Sequence, residues 1–199
     1  MKLGVFLSMF PEPHETFILR ELAELGRQGI ELTIFSLQRP REPVKHPEAA
    51  ALVARTRYGA LCGREALGAL GRALVRRPLR LARAVLALKF AAWRQPAEYV
   101  KSLAILPLAL RFAELAEAEG IHHLHGHWRN VPTTACWFLS MTHGFTWSAA
   151  VHGENIFSPN PLLRRKLADA RFIAVCNGYS WRHLRESMDL PRPEDVHLN

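Results

Sequence analysis

Histidines are the residues best suited to chemistry in this sequence, and several of them crowd one short segment. Side chains alternate across a β-strand, so His125 and His127 are expected to share one face, with His123 beside them if the strand begins early. Near neutral pH an imidazole can bind a hydroxyl or a phosphate, carry a proton or ligate a metal. The structural alternative is a group of strand-end histidines satisfied by the backbone. The segment reads His122-His123-Leu124-His125-Gly126-His127-Trp128.

A metal site is a second interpretation of the same histidines. An H-x-H pair at a strand end is a spacing that zinc sites use, and His152 could supply a third nitrogen. No further Asp or His pair occupies an evident strand-end position, and tetrahedral sites need three or four converging ligands. We therefore predict no bound metal, with the alternative left open.

Two other segments place polar residues where loops follow strands. In the segment 151–157, His152 and Glu154 flank Gly153, which lets a ligand approach the backbone closely. The turn at 9–16 contains His14 and Glu15 and leads into a helix whose N-terminus could receive an anion. This turn lacks the glycine pattern of a dinucleotide-binding site, which argues against NAD or FAD.

Apolar runs and turn residues predict an alternation of strands and helices along the whole chain. This alternation indicates an α/β fold, namely a Rossmann-like, doubly wound and mainly parallel sheet with helices on both faces. Ligands of such sheets bind at the carboxyl ends of the strands. We predict strands at 3–8, 31–37, 56–60, 121–128, 146–152 and 170–176. We predict helices from about 15 to 28, at 48–54, at 64–77, from 78 onward, and at 98–119, 132–142, 162–168 and 179–187.

Composition favours one globular domain. The 199 residues are 49% hydrophobic and 22% charged, which is enough to bury a full core. We assign residues 1–190 to this domain, and residues 191–199 to a linker into a second domain that the sequence does not contain. No secretory signal or long apolar run is evident, and three well-separated cysteines suggest no disulfide framework. A reduced cytoplasm is the expected location.

Most of the excess positive charge lies in one amphipathic helical hairpin at 64–95. Residues 64–94 contain eight basic residues and a single acid, Glu65. Such a surface is suited to an anionic partner, although a solvated helical face is the structural alternative. Phe90 and Trp93 are the only aromatic residues among these basic residues, which argues against a nucleic-acid-binding surface. We predict that the hairpin contacts an anionic membrane through Arg72, Arg76, Arg77, Arg80 and Arg83.

Four motifs resemble family 4 of the glycosyltransferases, particularly the exopolysaccharide and colanic-acid type. The opening Leu7-Ser8-Met9-Phe10-Pro11, then Glu15-Thr16-Phe17-Ile18 and Glu21-Leu22, resembles that group's "FP, then SETFI" start. His125-Gly126-His127-Trp128 resembles its "HAHF" element, and His152-Gly153-x-Asn155-Ile156-Phe157 its "HA-x-DIF" element. The stretch 170–175 resembles its "A-x-F" strand.

The resemblance implies a GT-B fold, in which two Rossmann-like domains enclose the active site. It implies retaining, metal-independent transfer from a nucleotide-sugar that the C-terminal domain holds. This chain would then bind no cofactor itself and would not be competent alone. Its partners would be a glycan or lipid-linked acceptor, an anionic membrane on the inner face of the plasma membrane, and that C-terminal domain.

Carried onto matching positions, the resemblance makes His127 the catalytic residue at the reacting centre, with His125 supporting it. His152, Glu154 and Asn155 would line the acceptor cleft, and His14 with Glu15 would border the crevice between domains. The sequence departs from the family pattern at His14, Asn155 and Asn177, which puts donor-side contacts in doubt more than the fold. A non-catalytic module that binds a membrane or a partner chain is the competing hypothesis.

Overall fold

The described strands of the protein pair in one parallel sheet. The computed structural model describes residues 1–40, 47–128, 130–152, 154–157 and 161–198, without the side chains of residues 47, 48, 154 and 155. The strands are β1 Lys2–Met9, β2 Glu31–Gln38, β3 Thr56–Tyr58, β4 His123–His127, β5 Thr146–Val151, β6 Ile173–Val175 and β7 Val196–Leu198. Within this part of the chain the sheet has these seven strands in the order β3-β2-β1-β4-β5-β6-β7.

Helices connect successive strands, as the sequence predicts. Glycines with positive φ end three of them: Gly29 follows Thr16–Arg27, Gly120 follows Pro96–Ala118, and Gly144 caps Val131–His143. None of the described helices is long and apolar enough to cross a bilayer. The helices are α1 Thr16–Arg27, α2 Pro47–Ala54, α3 Arg64–Arg76, α4 Pro78–Ala91, α5 Pro96–Ala118, α6 Val131–His143, α7 Pro161–Ala168 and α8 Gly178–Glu186. Two short 3-10 helices lie at Glu154–Phe157 and Pro193–Asp195.

The strand order confirms the predicted doubly wound α/β fold. From β1 the chain builds outward to β3, then crosses back through α3, α4 and α5 and resumes at β4 on the other side of β1. The order therefore reverses between β1 and β4, and this is the switch point where open α/β sheets bind ligands. At the far edge, β7 pairs with β6 in parallel. Part of the segment interpreted as a linker thus belongs to the sheet, beyond the predicted boundary at residue 190.

Each face of the sheet is covered by its own apolar cluster. On one face, α1 packs Ile18, Leu19 and Leu22 against apolar side chains of β1 and β2. On the other face, a larger cluster joins the sheet to α5 and α6, and also includes buried residues of α3, α4, α7 and α8. The sheet therefore separates two compartments, and the side a β4 residue faces decides which compartment it enters.

Gly126 is the point where α6 comes closest to the sheet. A Cβ atom at this position would lie 3.0 Å from the backbone Cα of Thr133, 3.1 Å from its Cγ2 and 3.2 Å from Cys136 Sγ. The first of these atoms is backbone, so relief would require α6 to move. The absence of a side chain at Gly126 thus lets α6 rest directly on β4.

We expect Gly126→Ala to lower the free energy of unfolding by about 1–3 kcal/mol, because it overpacks the contact between β4 and α6. Urea denaturation of the purified chain measures this change. Gly71→Ala is the matched control, since an added Cβ there meets nothing within 4 Å in the middle of α3. That variant should gain about 0.5–1 kcal/mol. Equal stability of the two variants would contradict the packing described here.

The junction between α3 and α4 is fixed to the body of the domain by polar contacts. Arg77 donates to Glu117 Oε1 (2.8 Å) and to the carbonyl oxygen of Thr142 (3.3 Å). His143 lies beside this contact at the end of α6 and stacks on Phe145. Burial lowers the pKa of His143 to about 4, and the neighbouring charge of Arg77 lowers it too.

Acid should therefore weaken the fold through His143. The imidazole of the unfolded chain takes up a proton below about pH 6.5, whereas the folded ring stays neutral down to about pH 4. Stability is consequently lost as pH falls through this window. Because the ring is partly exposed, we expect the wild type to lose about 1–2 kcal/mol more than His143→Gln between pH 7 and pH 4.5.

Urea denaturation at the two pH values gives this difference. His197→Gln, at an exposed position of β7, serves as the control and should behave as the wild type does. A His143→Gln variant with the same acid sensitivity as the wild type would contradict the assignment.

Candidate functional site

The histidines of β4 point toward α1. In the parallel register His125 lies beside Val5 of β1 and Ser148 of β5, so all three side chains leave the same face of the sheet. His127 follows on that face two residues later, at the carboxyl end of the strand. The predicted convergence of His125 and His127 is therefore confirmed.

Hydrogen bonds to β5 fix His123 and His125, the first two histidines of this row. His123 Nδ1 lies 2.8 Å from Thr146 Oγ1, and its Nε2 lies 2.8 Å from Ser148 Oγ. Ser148 Oγ is also 2.7 Å from His125 Nδ1. The ring of Phe172 stacks on both imidazoles, at 6.1 Å and 6.0 Å between centroids. His123 and His125 are thus held in orientation from two sides.

His127 lacks such partners. Its side chain is fully buried, and neither ring nitrogen has a hydrogen-bond partner among the described residues. The ring meets His125 edge to face at 5.0 Å and stacks on His152 at 5.7 Å between centroids. The nearest carboxylate is that of Glu21 on α1, with Oε1 at 3.9 Å from His127 Nε2. Three imidazoles and one carboxylate therefore share a small space under α1.

Burial sets the protonation of this group. It lowers the pKa of His125 to about 3, with smaller contributions from His123 and His152. It also moves the pKa of His127 well below its usual range and lowers that of His152. Burial raises the pKa of the Glu21 carboxyl. The imidazoles are consequently neutral at physiological pH, and their nitrogens are free of positive charge.

Aromatic side chains form the outer rim of the same region. Phe17 of α1 contacts His152 edge to face at 5.1 Å and Trp128 at 6.1 Å between centroids. Trp128 also contacts His152, at 5.3 Å. Its backbone φ of 69° is in the left-handed region, which is strained for a bulky residue and turns the chain away from β4. His152 is partly exposed, so this rim is where a ligand could reach the cluster formed by Glu21, His125, His127 and His152.

The remaining predicted residues fall into two groups. Glu15 is half-buried just before α1, where burial and then the charge of Glu12 raise its pKa, and His14 is exposed beside it. The side chains of Glu154 and Asn155 lie outside the described residues.

Sequence reasoning quoted Glu21 only as part of a motif and assigned it no role. Its spacing of four residues from Phe17 places both on one side of α1, which is the signal that could have identified it.

A cleft on the opposite side of the sheet was also missed. It lies at the carboxyl ends of β1 and β2, has a volume of about 410 Å³, and is bounded by the first half of α5 and the start of α6. No local pattern indicates it, because its walls come from β1, β2, α5, the start of α6 and Leu61, which are distant in sequence. The cleft is lined by Ser8, Leu37, Gln38, Leu61, Lys101, Ala104, Ile105, Asn130 and Val131.

A buried lysine holds the start of α6 next to this cleft. Lys166 of α7 is 1% exposed and donates from Nζ to Thr134 Oγ1 (2.9 Å), Thr133 Oγ1 (3.0 Å) and the carbonyl oxygen of Asn130 (3.2 Å). Its charge also lies beside the α6 N-terminus, which carries the positive end of the helix dipole. This corner of the cleft is therefore electropositive.

A larger cleft of about 810 Å³ lies between α7 and α8. Its main cation, Arg164, pairs with the Asp189 carboxylate and also donates to the carbonyl oxygens of Met188 and Asp189. Another lining residue, His183, hydrogen-bonds the carbonyl oxygen of Ile156. We regard the switch point as the better candidate for a ligand site, because open α/β sheets bind their ligands there.

The five arginines assigned to a membrane surface have different surroundings. Arg72 makes two hydrogen bonds to Glu114, of 2.6 Å and 2.8 Å, and Arg77 is bound to Glu117 and Thr142. Both therefore attach the hairpin to α5 and α6. The other three, Arg76, Arg80 and Arg83, are exposed on α3 and α4.

Comparisons with known proteins agree on the fold. No protein-family model matches the sequence, and no curated protein does. Two structures of sucrose-phosphate synthase from Thermosynechococcus elongatus are similar to the whole chain at 14% identity, with TM-scores of 0.55 and 0.57. The chain covers 87% of the first and 47% of the second, so it spans about half the length of the latter. A spinosyn rhamnosyltransferase, SpnG, solved with thymidine diphosphate, has a TM-score of 0.46 at 17% identity, over 96% of this chain and 48% of that one. The first two likenesses show that this chain shares the Rossmann-like fold of those structures.

Proposed function

We propose that this chain is the acceptor-binding half of a retaining glycosyltransferase that passes a sugar from a nucleotide-sugar to a polysaccharide or lipid-linked acceptor. The observation that carries the proposal is the cleft at the switch point between β1 and β4, where Lys101 and the start of α6 adjoin apolar walls. The likeness to sucrose-phosphate synthase supports it through the fold. A second domain would hold the donor, and the resemblance to family 4 suggests exopolysaccharide synthesis.

The cleft chemistry favours a lipid-linked acceptor over a free glycan. Lys101 and the α6 N-terminus supply positive charge for a phosphate or diphosphate group. The Lys101 ammonium also pairs with Glu98 at the surface, with Nζ 3.3 Å from Oε1. Leu61, Ile105 and Val131 supply apolar surface for the first part of a hydrocarbon chain. A neutral polysaccharide would use the hydroxyl-binding groups but would leave this pairing of charge and apolar surface unused.

The rim of the histidine cluster would complete the site from the other face. His152 is partly exposed and can offer a ring nitrogen to a sugar hydroxyl. His127, the residue that the resemblance makes catalytic, is fully buried behind it and stacks on its ring. In this arrangement His127 positions His152, and Glu15 borders the same opening.

We expect Lys101→Glu to weaken binding of a polyprenyl diphosphate-linked sugar about tenfold or more, because the variant replaces an attractive charge by a repulsive one. Binding of the 199-residue chain to this lipid in nanodiscs, followed by titration calorimetry, measures the effect. Arg182→Glu, at an exposed position on α8, makes the same charge change far along the sheet and should bind as the wild type does. Equal affinities for all three proteins would refute the cleft as the acceptor site.

The hairpin surface supports membrane association next to this cleft. Leu79, Arg83, Leu86 and Phe90 are exposed at spacings of four, three and four residues, which places them along one side of α4. Trp93, in the connection between α4 and α5, is also exposed. Aromatic and aliphatic side chains combined with arginines are typical of helices that lie in the interface of an anionic bilayer.

An exposed apolar residue beside the cleft suggests a route for the acceptor. Val100, in the second turn of α5, is 62% exposed, and the next residue, Lys101, lines the cleft. A lipid-linked acceptor in a bilayer under the hairpin would then reach the cleft without leaving the membrane.

Replacing Arg76, Arg80 and Arg83 together by alanine should weaken binding to phosphatidylglycerol vesicles about a hundredfold, since each surface arginine contributes on the order of 1 kcal/mol. Vesicle sedimentation at two salt concentrations measures the change, and wild-type binding should fall as salt rises. The triple alanine variant at exposed Arg20, Arg171 and Arg182 removes the same charge elsewhere and is the control. If both triple variants lose affinity equally, net charge and not the hairpin directs binding.

The exposed apolar side of α4 also favours the second candidate, a non-catalytic module that associates with a membrane. Transfer assays separate the two functions. Radiolabelled nucleotide-sugars, tested with the lipid-linked acceptor and with a donor-binding domain added, should give labelled product if the chain belongs to a transferase. Vesicle binding without acceptor binding or product would support the module.

A further inference from the structure

We propose that Glu21, His125 and His127 form a binding site for a zinc-type transition-metal ion that joins α1 to β4. One ligand atom from each residue lies within 4.8 Å of the other two. The carboxylate comes from the helix and the imidazoles from the strand, so an ion between them would connect these two elements directly. The site is independent of the transferase proposal.

The unpartnered ring of His127 is the observation that points to a ligand. This side chain is fully buried, and neither of its nitrogens has a hydrogen-bond partner among the described residues. Its Nε2 is 3.9 Å from Glu21 Oε1, too far for a hydrogen bond. Leaving a buried polar group unsatisfied is destabilising, whereas coordination would satisfy one nitrogen directly.

His125 is oriented as a metal ligand would be. Its Nδ1 is 2.7 Å from Ser148 Oγ, which leaves Nε2 as the atom available to the cluster. Ser148 in turn is bound to His123, so the orientation of the imidazole is fixed through a second residue. Metal-binding histidines are commonly held in this way by a hydrogen bond at the other nitrogen.

The charges of the cluster suit a cation. Because burial lowers the pKa values of His125 and His127, both rings are in the neutral form that ligates metals. Among the described residues, Glu21 forms no ion pair apart from its distant contact with His127, and burial raises its pKa. A divalent ion would stabilise the ionised carboxylate inside the fold.

The donor set selects the type of ion. Two imidazole nitrogens and one carboxylate oxygen match Zn²⁺ and its neighbours in the first transition row, whereas Mg²⁺ and Ca²⁺ prefer oxygen alone. Bonds of about 2.0–2.2 Å require the ligand atoms to draw somewhat closer together, a movement that the long Glu21 side chain allows. Because His127 is fully buried, the ion would act as a structural clamp.

Titration of the full chain with Zn²⁺, after treatment with a chelator, tests the proposal. We expect one Zn²⁺ per chain by calorimetry, visible absorption bands when Co²⁺ is used instead, no binding of Mg²⁺, and a rise in Tm of about 5 °C or more at saturating Zn²⁺. Glu21→Gln keeps the shape of the side chain and should weaken Zn²⁺ binding about tenfold or more. His127→Gln should weaken it further.

Glu24→Gln is the matched control, because Glu24 is one turn further along α1 and its carboxylate pairs with Arg27. It should bind Zn²⁺ as the wild type does. Failure of the wild type to bind one Zn²⁺ overturns the site, and so does equal binding by Glu21→Gln and Glu24→Gln, which would assign the metal to surface histidines. If His127→Gln does not fold, the Glu21→Gln and Glu24→Gln pair decides alone.

Discussion

The parallel register of β4 between β1 and β5 is the constraint on which the rest of the structure depends. It places His125 beside Val5 and Ser148 and sends Gly126 to the opposite face, where α6 is only 3.0 Å from the position of a Cβ atom. A slip by one residue would exchange the two faces. Imidazoles would then meet α6, where there is no room for any side chain, and the polar cluster under α1 would lose its members. The glycine and the histidines therefore specify the same register from opposite sides of the sheet.

Much of this fold could be predicted from local sequence because each element carries its own signal. Apolar runs define the strands, Gly29 and Gly120 end helices, and the alternation of His125 and His127 predicts their common face. Features that depend on distant elements could not be predicted in this way. Glu21 enters the cluster only because α1 lies on the face of the sheet that carries the imidazoles of β4.

The arginines of the hairpin are a second case in which contacts with distant elements could not be predicted from local sequence. Sequence alone treats the basic residues of 64–94 as one surface, because nothing local distinguishes Arg72 or Arg77 from its neighbours. The structure separates them through Glu114 and Glu117, about forty residues away on α5. These two ion pairs tie the hairpin down and leave the exposed side of α4 facing outward. The crossover from β3 to β4 thus does more than return the chain to the centre of the sheet, because its last helix, α5, also supplies a wall of the cleft.

Burial of His127 limits which residues at this end of β4 can contact a ligand. A fully buried ring cannot touch a substrate unless α1 or His152 moves, so direct contact at this end of β4 falls to the half-exposed rim of His152 and Trp128. The ring nevertheless keeps two unsatisfied nitrogens, each destabilising by about 1–3 kcal/mol. Such a cost is typical of groups retained for a function, because an apolar side chain of similar size would avoid it. His127 lies between the ring of His152 and the Glu21 carboxylate on α1, so in both proposals the interior of the domain is part of a site and not merely its support.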